Sequence, residues 1–296
     1  MFDLIINPMA KRGRGLDEVR RVESYFAKKN IDYIEHYTKY VKHATELSYD
    51  LTLQSANVIV ACGGDGTIHE VINGIIKAKQ KMANEGLQCN TKLGILPCGT
   101  GNDFMRSAGM SIATLEAAEV LISGKPQNVD AINIDGRYEI TFACKGIDVD
   151  VVNMVNASAK KTESSYLKNI LKCIFKRINY DFDILADGEH IKYNGVFTAV
   201  LNGGKVAGGI DFCPDAKVDD GFLNLVMIKH QNLFKMLYTL LMIFKGRANS
   251  TSGVEFRKCK TVTVTNQQTV TDIDGELFEN INFEATIAPN ALLLIK

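Results

Sequence analysis

Short apolar runs alternate with amphipathic stretches over the first 125 or so residues. Runs typical of buried or half-buried strands occur at 2–6, 31–38, 57–62 and 92–97. Apolar residues at helical spacing occupy the segments between them, at 17–29, 42–54 and 67–82. Because strands that alternate with helices form parallel βαβ units, this part of the chain predicts a three-layer α/β domain.

The pattern changes after residue 125, where strand-like stretches dominate. They include DFDILAD (181–187), YNGVFTAVLN (193–202), FLNLVMI (222–228) and TVTVT (261–265). Asp-Gly pairs at 187–188, 220–221 and 274–275 are typical of the turns between such strands. Helical patterns interrupt the strands at about 165–177 and 231–246. Residues 126–296 therefore predict a second domain, a mainly antiparallel β-sandwich.

Composition and charge exclude several classes of protein. The 34 basic residues balance the 34 acidic ones, so net charge gives no indication of a nucleic-acid partner. The 7 cysteines include no CxxC pair, which argues against a zinc ribbon or a disulfide framework and favours a reducing, cytoplasmic setting. The amino terminus lacks the features of a signal peptide, and no apolar run reaches the roughly 18 residues of a spanning helix. We therefore expect any contact with a membrane to be peripheral, at its inner face.

The stretch VIVACGGDGTIHEVINGI (58–75) places Gly63, Gly64 and Gly66 between a predicted strand and a predicted helix. Bare backbone at a helix amino terminus is how α/β proteins bind phosphate. The usual fingerprints are absent, because His69 stands where GxGxxG needs its third glycine and no GxxxxGK[ST] occurs. Asp65 is unusual there, since a carboxylate repels phosphate unless a cation lies between them. The alternative is a plain tight turn.

Two more loops follow predicted strands. In ILPCGTGNDF (95–104), glycines bracket Thr100, and Asn102 or Asp103 is suited to cap a helix. In INPMAKRGRG (6–15), Asn7 precedes cations suited to offset phosphate charge, at Lys11, Arg12 and Arg14. A capped helix start and a solvated basic loop are the alternatives. Ligands of open α/β sheets bind at the edge where such loops meet.

These three motifs, with NGGKVAGGIDFCPDAKVDDGFLNLVMI (202–228) and TDIDGELF (271–278), resemble the diacylglycerol kinase and sphingosine kinase superfamily, most closely its bacterial soluble lipid kinases. GGDG alone also occurs in NAD kinases, whereas the five motifs together are highly specific. The resemblance implies a two-domain NAD kinase/diacylglycerol kinase-like fold, a three-layer α/β nucleotide domain followed by a β-sandwich domain. It also implies that ATP lies in the cleft between them.

The resemblance assigns ATP-contacting positions in the first domain. They are Asn7, Pro8, Met9, Ala10, Lys11, Thr38, Gly64, Asp65, Gly66, Thr67, Ile68, His69, Glu70 and Thr100. His69 departs from the asparagine that is more usual there, and Lys11 and Arg12 replace residues that are often small.

DAKVDDGFL (215–223) offers oxygen ligands of the kind that Mg²⁺ prefers. The resemblance implies a metal held by Asp220 and the backbone carbonyls of Lys217 and Phe222, in a structural or a catalytic role. Asp219 and Asp215 are alternative ligands. Without the resemblance, an acidic turn in solvent is the favoured interpretation.

DIDGELF supplies Asp274 and Glu276 on a turn. One of them can take the hydroxyl proton while phosphorus is attacked, and the resemblance implies that the proton acceptor is one of these two. The sequence does not choose between them. A hairpin turn is the alternative.

Two helical stretches bear on the acceptor. YLKNILKCIFKRI (166–178) has an apolar face and lysines at 168, 172 and 176, a pattern that favours an anionic membrane surface or packing on the sheet. NLFKMLYTLLMIFKG (232–246) suits the border of a lipid-tail cleft or the core. No HExxH or GxSxG occurs, so metalloprotease and serine-hydrolase chemistry is not indicated.

Together these features predict an ATP- and Mg²⁺-dependent lipid kinase that converts diacylglycerol to phosphatidic acid at the membrane surface. A sphingoid base, another lipid alcohol and NAD are alternative acceptors. A non-catalytic nucleotide-binding module that regulates a partner is the alternative from another class. A homodimer is compatible with the sequence, which does not fix the oligomeric state.

Overall fold

The chain forms two compact units. The structure, a computed structural model, describes residues 1–156, 163–279 and 283–296, and for residues 156 and 163–166 it describes the backbone alone. The first unit comprises Met1–Ala131, Ala207–Gly209 and Pro289–Lys296. The second comprises Ile132–Val206 and Ile210–Ala288.

The first unit alternates strands and helices, as the apolar pattern predicts. Its strands are β1 (Phe2–Ile6), β2 (Tyr33–Tyr37), β3 (Val58–Gly63) and β4 (Lys92–Pro97). Its helices are α1 (Gly15–Lys29), α2 (His43–Leu53), α3 (Asp65–Asn84), α4 (Asp103–Ser107) and α5 (Thr114–Ser123), and Ala10–Gly13 form a 3₁₀ turn. Helix α4 begins at Asp103, where the sequence suggested that Asn102 or Asp103 caps a helix, whereas α5 was not predicted.

The remaining elements belong wholly or partly to the second unit. The strands are β5 (Pro126–Ile134), β6 (Arg137–Glu139), β7 (Phe142–Gly146), β8 (Tyr180–Ala186), β9 (Glu189–Leu201), β10 (Lys205–Val206), β11 (Ile210–Asp211), β12 (Leu223–Lys229), β13 (Val254–Cys259), β14 (Thr261–Thr265), β15 (Val270–Ile273), β16 (Glu276–Glu279) and β17 (Glu284–Ile295). The helices are α6 (Ile147–Asn156), α7 (Glu163–Phe175) and α8 (Leu233–Phe244), and Ala248–Ser250 form a 3₁₀ turn. Helices α7 and α8 confirm the two predicted helical patterns, whereas α6 was not predicted.

The sheet of the first unit is parallel, in the order β2-β1-β3-β4. The end of β17 joins β4, where Leu294 pairs with Leu93. The connection through α1, from β1 to β2, runs toward one edge of the sheet, whereas the connections through α2 and α3 run toward the other edge. Because parallel crossovers are right-handed, α1 lies on one face of the sheet and α2 and α3 lie on the other face. Helix α1 packs on α5, and α2 packs on α3. The predicted three-layer α/β architecture is therefore confirmed.

The second unit is mainly antiparallel, as predicted, and the long strand β9 lies at its centre. It pairs with β7, β8 and β12. Alternate side chains of β9 enter two different cores: Val200 packs with residues of β8 and β14, whereas Ala199 and Leu201 pack with residues of α6, α7 and α8. Both faces of the strand are therefore buried. Among the described residues, no helix combines the length and the apolar character that crossing a bilayer requires.

Candidate functional site

Three loops of the first unit meet at one edge of its sheet. Because β1, β3 and β4 are parallel neighbours, the loops that begin at Asn7, Gly64 and Cys98 lie side by side at the carboxyl ends of the strands. The predicted ATP-contacting residues are distributed over the segments after β1, β2 and β4 and over Gly64 and the first two turns of α3. The structure thus brings the sequence motifs of this unit together.

Side-chain hydrogen bonds join these loops to one another. Asn7 Nδ2 donates to Thr67 Oγ1 at 3.0 Å, which connects the loop after β1 to the loop after β3. Asn7 Oδ1 accepts from the Met9 N–H at 2.9 Å. Thr38, at the end of β2, donates its N–H to the Ile6 carbonyl. Four of the predicted ATP-contacting residues therefore shape the edge.

Asp65 links the two glycine loops. Its Oδ2 accepts from the Asn102 N–H at 2.7 Å and its Oδ1 accepts from the Asp103 N–H at 2.9 Å. Both N–H groups lie at the start of α4, where Asn102 has a left-handed backbone with φ 54°. A carboxylate is favourable there because the first N–H groups of a helix have no partner within it. The presence of an acid among glycines, which the sequence left unexplained, thus has a structural reason.

Glu70 performs the same task for α2. Its Oε1 accepts from the Lys42 N–H at 2.9 Å, and its Oε2 accepts from the Ala44 N–H at 3.1 Å. Its backbone carbonyl accepts from Thr45 Oγ1. Glu70 therefore fixes the start of α2 against α3.

The loop glycines have different reasons for being glycine. A methyl group on Gly64 or Gly99 would meet the backbone of the other, because the two loops touch at these positions. A methyl group on Gly101 would lie 2.7 Å from Asp65 Oδ2. A methyl group on Gly66 would meet nothing within 4 Å, and Gly66 lies in helix α3. Neither packing nor backbone conformation explains Gly66.

The other predicted ATP-contacting residues differ in accessibility. Ile68 is fully buried and Ala10 is buried, whereas Met9 and Thr100 are exposed. Ile68 can therefore contribute only its backbone to a ligand. His69 lies within 3.4 Å of Asn73, one helical turn further along α3.

Lys11 and Arg12 both adopt left-handed backbone conformations, with φ values of 50° and 58°. Such conformations are uncommon for residues other than glycine. They bend the chain within the Ala10–Gly13 segment, just before α1. The cations predicted to offset phosphate charge are thus held on a bent segment at the edge of the sheet.

A segment distant in sequence joins this edge and was not among the predicted site residues. The Gly208 N–H donates to both Asp103 carboxylate oxygens, at 2.9 and 3.1 Å. Burial raises the pKa of Asp103, and the Gly208 N–H opposes that shift. Ala207, Gly208 and Gly209 all have positive φ, at 53°, 85° and 103°. The glycine pair in KVAGGID was visible in the sequence, but its partner was not.

In the second unit, the structure distinguishes Asp274 from Glu276. Asp274 and Gly275 form the turn between β15 and β16, with φ values of 50° and 85°. Asp274 Oδ1 accepts from the Phe142 N–H at 3.0 Å, so the side chain is held against β7. Glu276 is exposed at the start of β16.

Glu139 is a buried carboxyl group beside this turn that sequence analysis missed. It is fully buried and its side chain is hydrogen-bonded to that of Asp274. Burial raises the pKa of Glu139 to about 8, and the charge of Glu276 adds to the shift, whereas Asp274 and Arg137 oppose it. Glu139 is thus mostly protonated at neutral pH. The indication in the sequence was an acid within the strand-like stretch YEITFAC (138–144).

Replacing Glu139 by glutamine is expected to change how stability depends on pH. The folded-state pKa of about 8 exceeds the ordinary 4.5, so the wild type loses stability as pH rises from about 4.5 through 8. Glu139→Gln escapes this loss, which amounts to on the order of 3–4 kcal/mol at pH 9 relative to pH 5. Urea unfolding across this range measures it, with the exposed Glu284→Gln as control. Parallel pH profiles for wild type and Glu139→Gln would contradict the assignment.

Asp272 also stabilises the turn formed by Asp274 and Gly275. Its Oδ1 accepts from the Gly275 N–H at 2.8 Å. Potential ligand atoms of Asp272, Asp148 and Cys144 lie within 4.8 Å of one another. Burial, followed by the nearby Asp148, raises the pKa of Asp272 to about 9. Asp272 and the buried Cys144 thiol, whose pKa burial also raises, therefore hold protons at neutral pH, which opposes metal binding because ligands must be deprotonated.

Asp220, the predicted metal ligand, has a cation beside it. Its Oδ1 accepts from the Phe222 N–H at 3.1 Å, and its Oδ2 forms an ion pair with Lys258 Nζ. Lys258 and Lys260 lie 5.8 and 5.7 Å from the centre of the Phe222 ring. A carboxylate and carbonyl oxygens fit the chemistry of Mg²⁺, but Lys258 competes for the carboxylate.

Comparison with known families agrees with both units. The diacylglycerol kinase catalytic domain matches residues 2–134. The YegS C-terminal NAD kinase beta sandwich-like domain matches residues 141–296. The two matches together take in nearly all of the chain, including every predicted site residue.

Individual proteins that are similar to this chain are also named diacylglycerol kinases. A diacylglycerol kinase of Staphylococcus saprophyticus is 29% identical over 250 residues, covering 79% of this chain and 77% of that protein. One from Staphylococcus carnosus is 28% identical over 248 residues, with 79% and 77% covered. A crystal structure of a diacylglycerol kinase from Bacillus anthracis matches with a TM-score of 0.76 at 22% identity, covering 99% of this chain and 96% of that one. At that identity, the structural match supports the fold alone.

Proposed function

Because this chain belongs to the diacylglycerol kinase catalytic-domain family and is thereby a lipid kinase, we propose that it phosphorylates diacylglycerol with ATP, giving phosphatidic acid. The diacylglycerol hydroxyl oxygen forms a bond to the γ-phosphorus. The bond from that phosphorus to the β–γ bridging oxygen breaks, and ADP leaves. The acceptor resides in a bilayer, so the enzyme works as a peripheral protein on the cytoplasmic face.

The observation that carries the proposal is the position of Gly66. The first N–H groups of an α-helix have no partner within the helix, and in α3 they belong to Asp65 and Gly66. A methyl group added to Gly66 would have no protein atom within 4 Å among the neighbours considered, so the space beside this residue is open. A phosphate group suits this position, because it accepts hydrogen bonds from bare N–H groups and is stabilised by the helix dipole. Asp65 serves ATP indirectly, by holding the loop that carries Thr100.

The exposed Glu276 is the proton acceptor in this proposal. Asp274 is held by the Phe142 N–H and by the hydrogen bond with Glu139, so its side chain is not free to approach a substrate. Glu276 begins the next strand after a rigid turn and is exposed. A general base needs access to the hydroxyl whose proton it takes. Asp274 and Glu139 are positioning residues for the turn that presents Glu276.

Magnesium would be held by Asp220 and the backbone carbonyls of Lys217 and Phe222. The metal, when bound, supplies positive charge that offsets carboxylate and phosphate oxygens. In the structure, Lys258 supplies that charge to Asp220. Binding of Mg²⁺ there requires the ion pair between Lys258 and Asp220 to break and the Lys258 side chain to move away.

Replacing Lys258 by methionine is therefore expected to strengthen Mg²⁺ binding by about 2- to 5-fold, because a partly exposed ion pair of roughly 0.5–1 kcal/mol no longer competes. Calorimetric titration of Mg²⁺ without nucleotide measures this. Lys260→Met is the matched control, since Lys260 lies equally close to the Phe222 ring but has no ion pair with Asp220 among the described residues. Equal Mg²⁺ affinity in both variants would place the metal elsewhere.

Radiolabelled ATP and mixed micelles of diacylglycerol, with and without Mg²⁺, test the proposed activity. Labelled phosphatidic acid that requires Mg²⁺ is the expected product. Parallel reactions contain sphingosine or NAD as the acceptor. Label in one of those products, with none in phosphatidic acid, would replace diacylglycerol as the substrate. No labelled product from any acceptor, despite ATP binding, would favour a regulatory module.

A further inference from the structure

Helix α8 presents an apolar stripe to solvent. Phe234 is 84% exposed, Tyr238 is 53% exposed and Leu241 is 49% exposed. Their spacing of four and three residues places them on one face of the helix. The opposite face is buried, with Met236 and Ile243 in the core of the second unit.

This exposure is unusual for a helix on the surface of a protein. Such helices bury one apolar stripe and present polar residues on the other side. Here both sides are apolar, since all but Lys235 and Thr239 between Leu233 and Phe244 are hydrophobic or aromatic. Contiguous exposed apolar residues mark an interaction site.

Helix α8 and the segments that flank it in the sequence carry basic residues and no acidic ones, and Asp211, which lies beside Gly246, is ion-paired with Lys205. The sequence has no aspartate or glutamate between Asp220 and Glu255. Lys235 and Lys245 lie at the two ends of α8, and both are exposed. A partner for this surface therefore needs an apolar layer beneath a layer of negative charge.

We propose that α8 docks on an anionic phospholipid bilayer, with Phe234, Tyr238 and Leu241 inserted among the acyl chains and Lys235 and Lys245 at the headgroups. With its inner face buried in the protein, α8 offers its outer apolar face to the interface, where such helix faces insert about 5–10 Å into the headgroup and acyl boundary. Tyrosine suits that depth because its ring is apolar and its hydroxyl is polar. With 12 residues, α8 is long enough to lie in the interface but too short to cross it.

A second copy of this chain is a less favourable occupant. A twofold interface places the same patch of each copy against the other. The apolar stripes would then meet, but so would the lysines at the two ends, with no carboxylate on either helix to compensate. The charge pattern therefore favours lipid over self-association.

The inference deepens the proposed function, because it names the surface that would bring the enzyme to a lipid acceptor. Its biological purpose rests on the proposed function, whereas the binding of α8 to a bilayer does not. Binding to vesicles without ATP tests it separately. Vesicles of phosphatidylglycerol and phosphatidylcholine are expected to sediment with the protein, and vesicles of phosphatidylcholine alone much less. Added salt weakens the binding because the Debye length shortens.

The variant Phe234→Ser/Leu241→Ser is expected to bind these vesicles more than about 30-fold more weakly, because it loses most of the inserted apolar area. Leu87→Ser is the matched control, since Leu87 is 55% exposed and lies in the first unit. The affinity of Lys235→Ser/Lys245→Ser for these vesicles at low salt is expected to fall about 5-fold for each charge removed. Melting temperatures of all variants stay near the wild-type value, because every substituted side chain is exposed.

Several outcomes would overturn the inference. Wild-type affinity of Phe234→Ser/Leu241→Ser for anionic vesicles removes α8 from the membrane contact. A wild-type dimer that this variant converts to a monomer, with no vesicle binding by either, makes a second copy the occupant. Activity on short-chain diacylglycerol in solution distinguishes a failure of the docking inference from a failure of the proposed kinase function. If that activity is present and vesicle binding is absent, the docking inference fails alone; if binding is present and activity is absent, the proposed function fails alone.

Discussion

Glu276→Gln is expected to lower kcat by about 10²- to 10⁴-fold, the usual contribution of a general base. Glutamine keeps the size of the side chain but cannot take the proton of the acceptor hydroxyl. The KM for ATP is expected to change little, since the proposed phosphate contacts lie in the first unit. Steady-state kinetics with diacylglycerol micelles measure both constants. The melting temperature should not change, because Glu276 is exposed.

Glu279→Gln is the matched control for that experiment. Glu279 lies on the same strand, β16, and is also exposed. The variant is expected to keep wild-type kcat, because Glu279 lies three residues beyond Glu276, at the far end of β16 from the turn that Asp272, Asp274 and Glu139 hold. If Glu276→Gln keeps wild-type kcat while Asp274→Asn abolishes it without unfolding, the roles of the two carboxylates are the reverse of those proposed.

Local patterns explain why the first unit was predicted so closely. Its strands are short buried runs, and its longer helices carry apolar residues at helical spacing, so both periods appear directly in the sequence. Helix α6 was missed for the same reason. Its sequence begins IDVDVV, which alternates apolar and polar residues as a strand does. Contacts with α7, β7 and β15, which single-segment patterns do not contain, make it helical.

The candidate site divides in a similar way. The sequence located the loops, because glycines, Asp-Gly pairs and cations at strand ends have local meanings. It could not assign partners, because those are set by folding. Asp65 binds the backbone 37 residues away, and Asp274 holds Phe142 at a separation of 132. The buried acid Glu139 and the lysine beside Asp220 belong to the same category.

Gly66→Ala is expected to weaken ATP binding while making the protein slightly more stable. The added methyl group meets no protein atom but occupies the space proposed for phosphate. Losing a hydrogen bond to a charged group costs about 1.5–3 kcal/mol, so ATP affinity should fall by about 10- to 100-fold. Alanine also favours the helix by about 0.4–1 kcal/mol. Titration calorimetry and thermal unfolding measure the two effects on the same sample.

Gly99→Ala makes the same chemical change with the opposite expectation for stability. Its methyl group would overlap the Gly64 backbone, which cannot move without displacing the start of α3. The melting temperature should therefore fall, and ATP binding should fall with it. Only Gly66→Ala separates binding from folding. If its affinity for ATP equals that of the wild type, phosphate does not lie beside Gly66, and the open space at the start of α3 no longer supports a kinase site there.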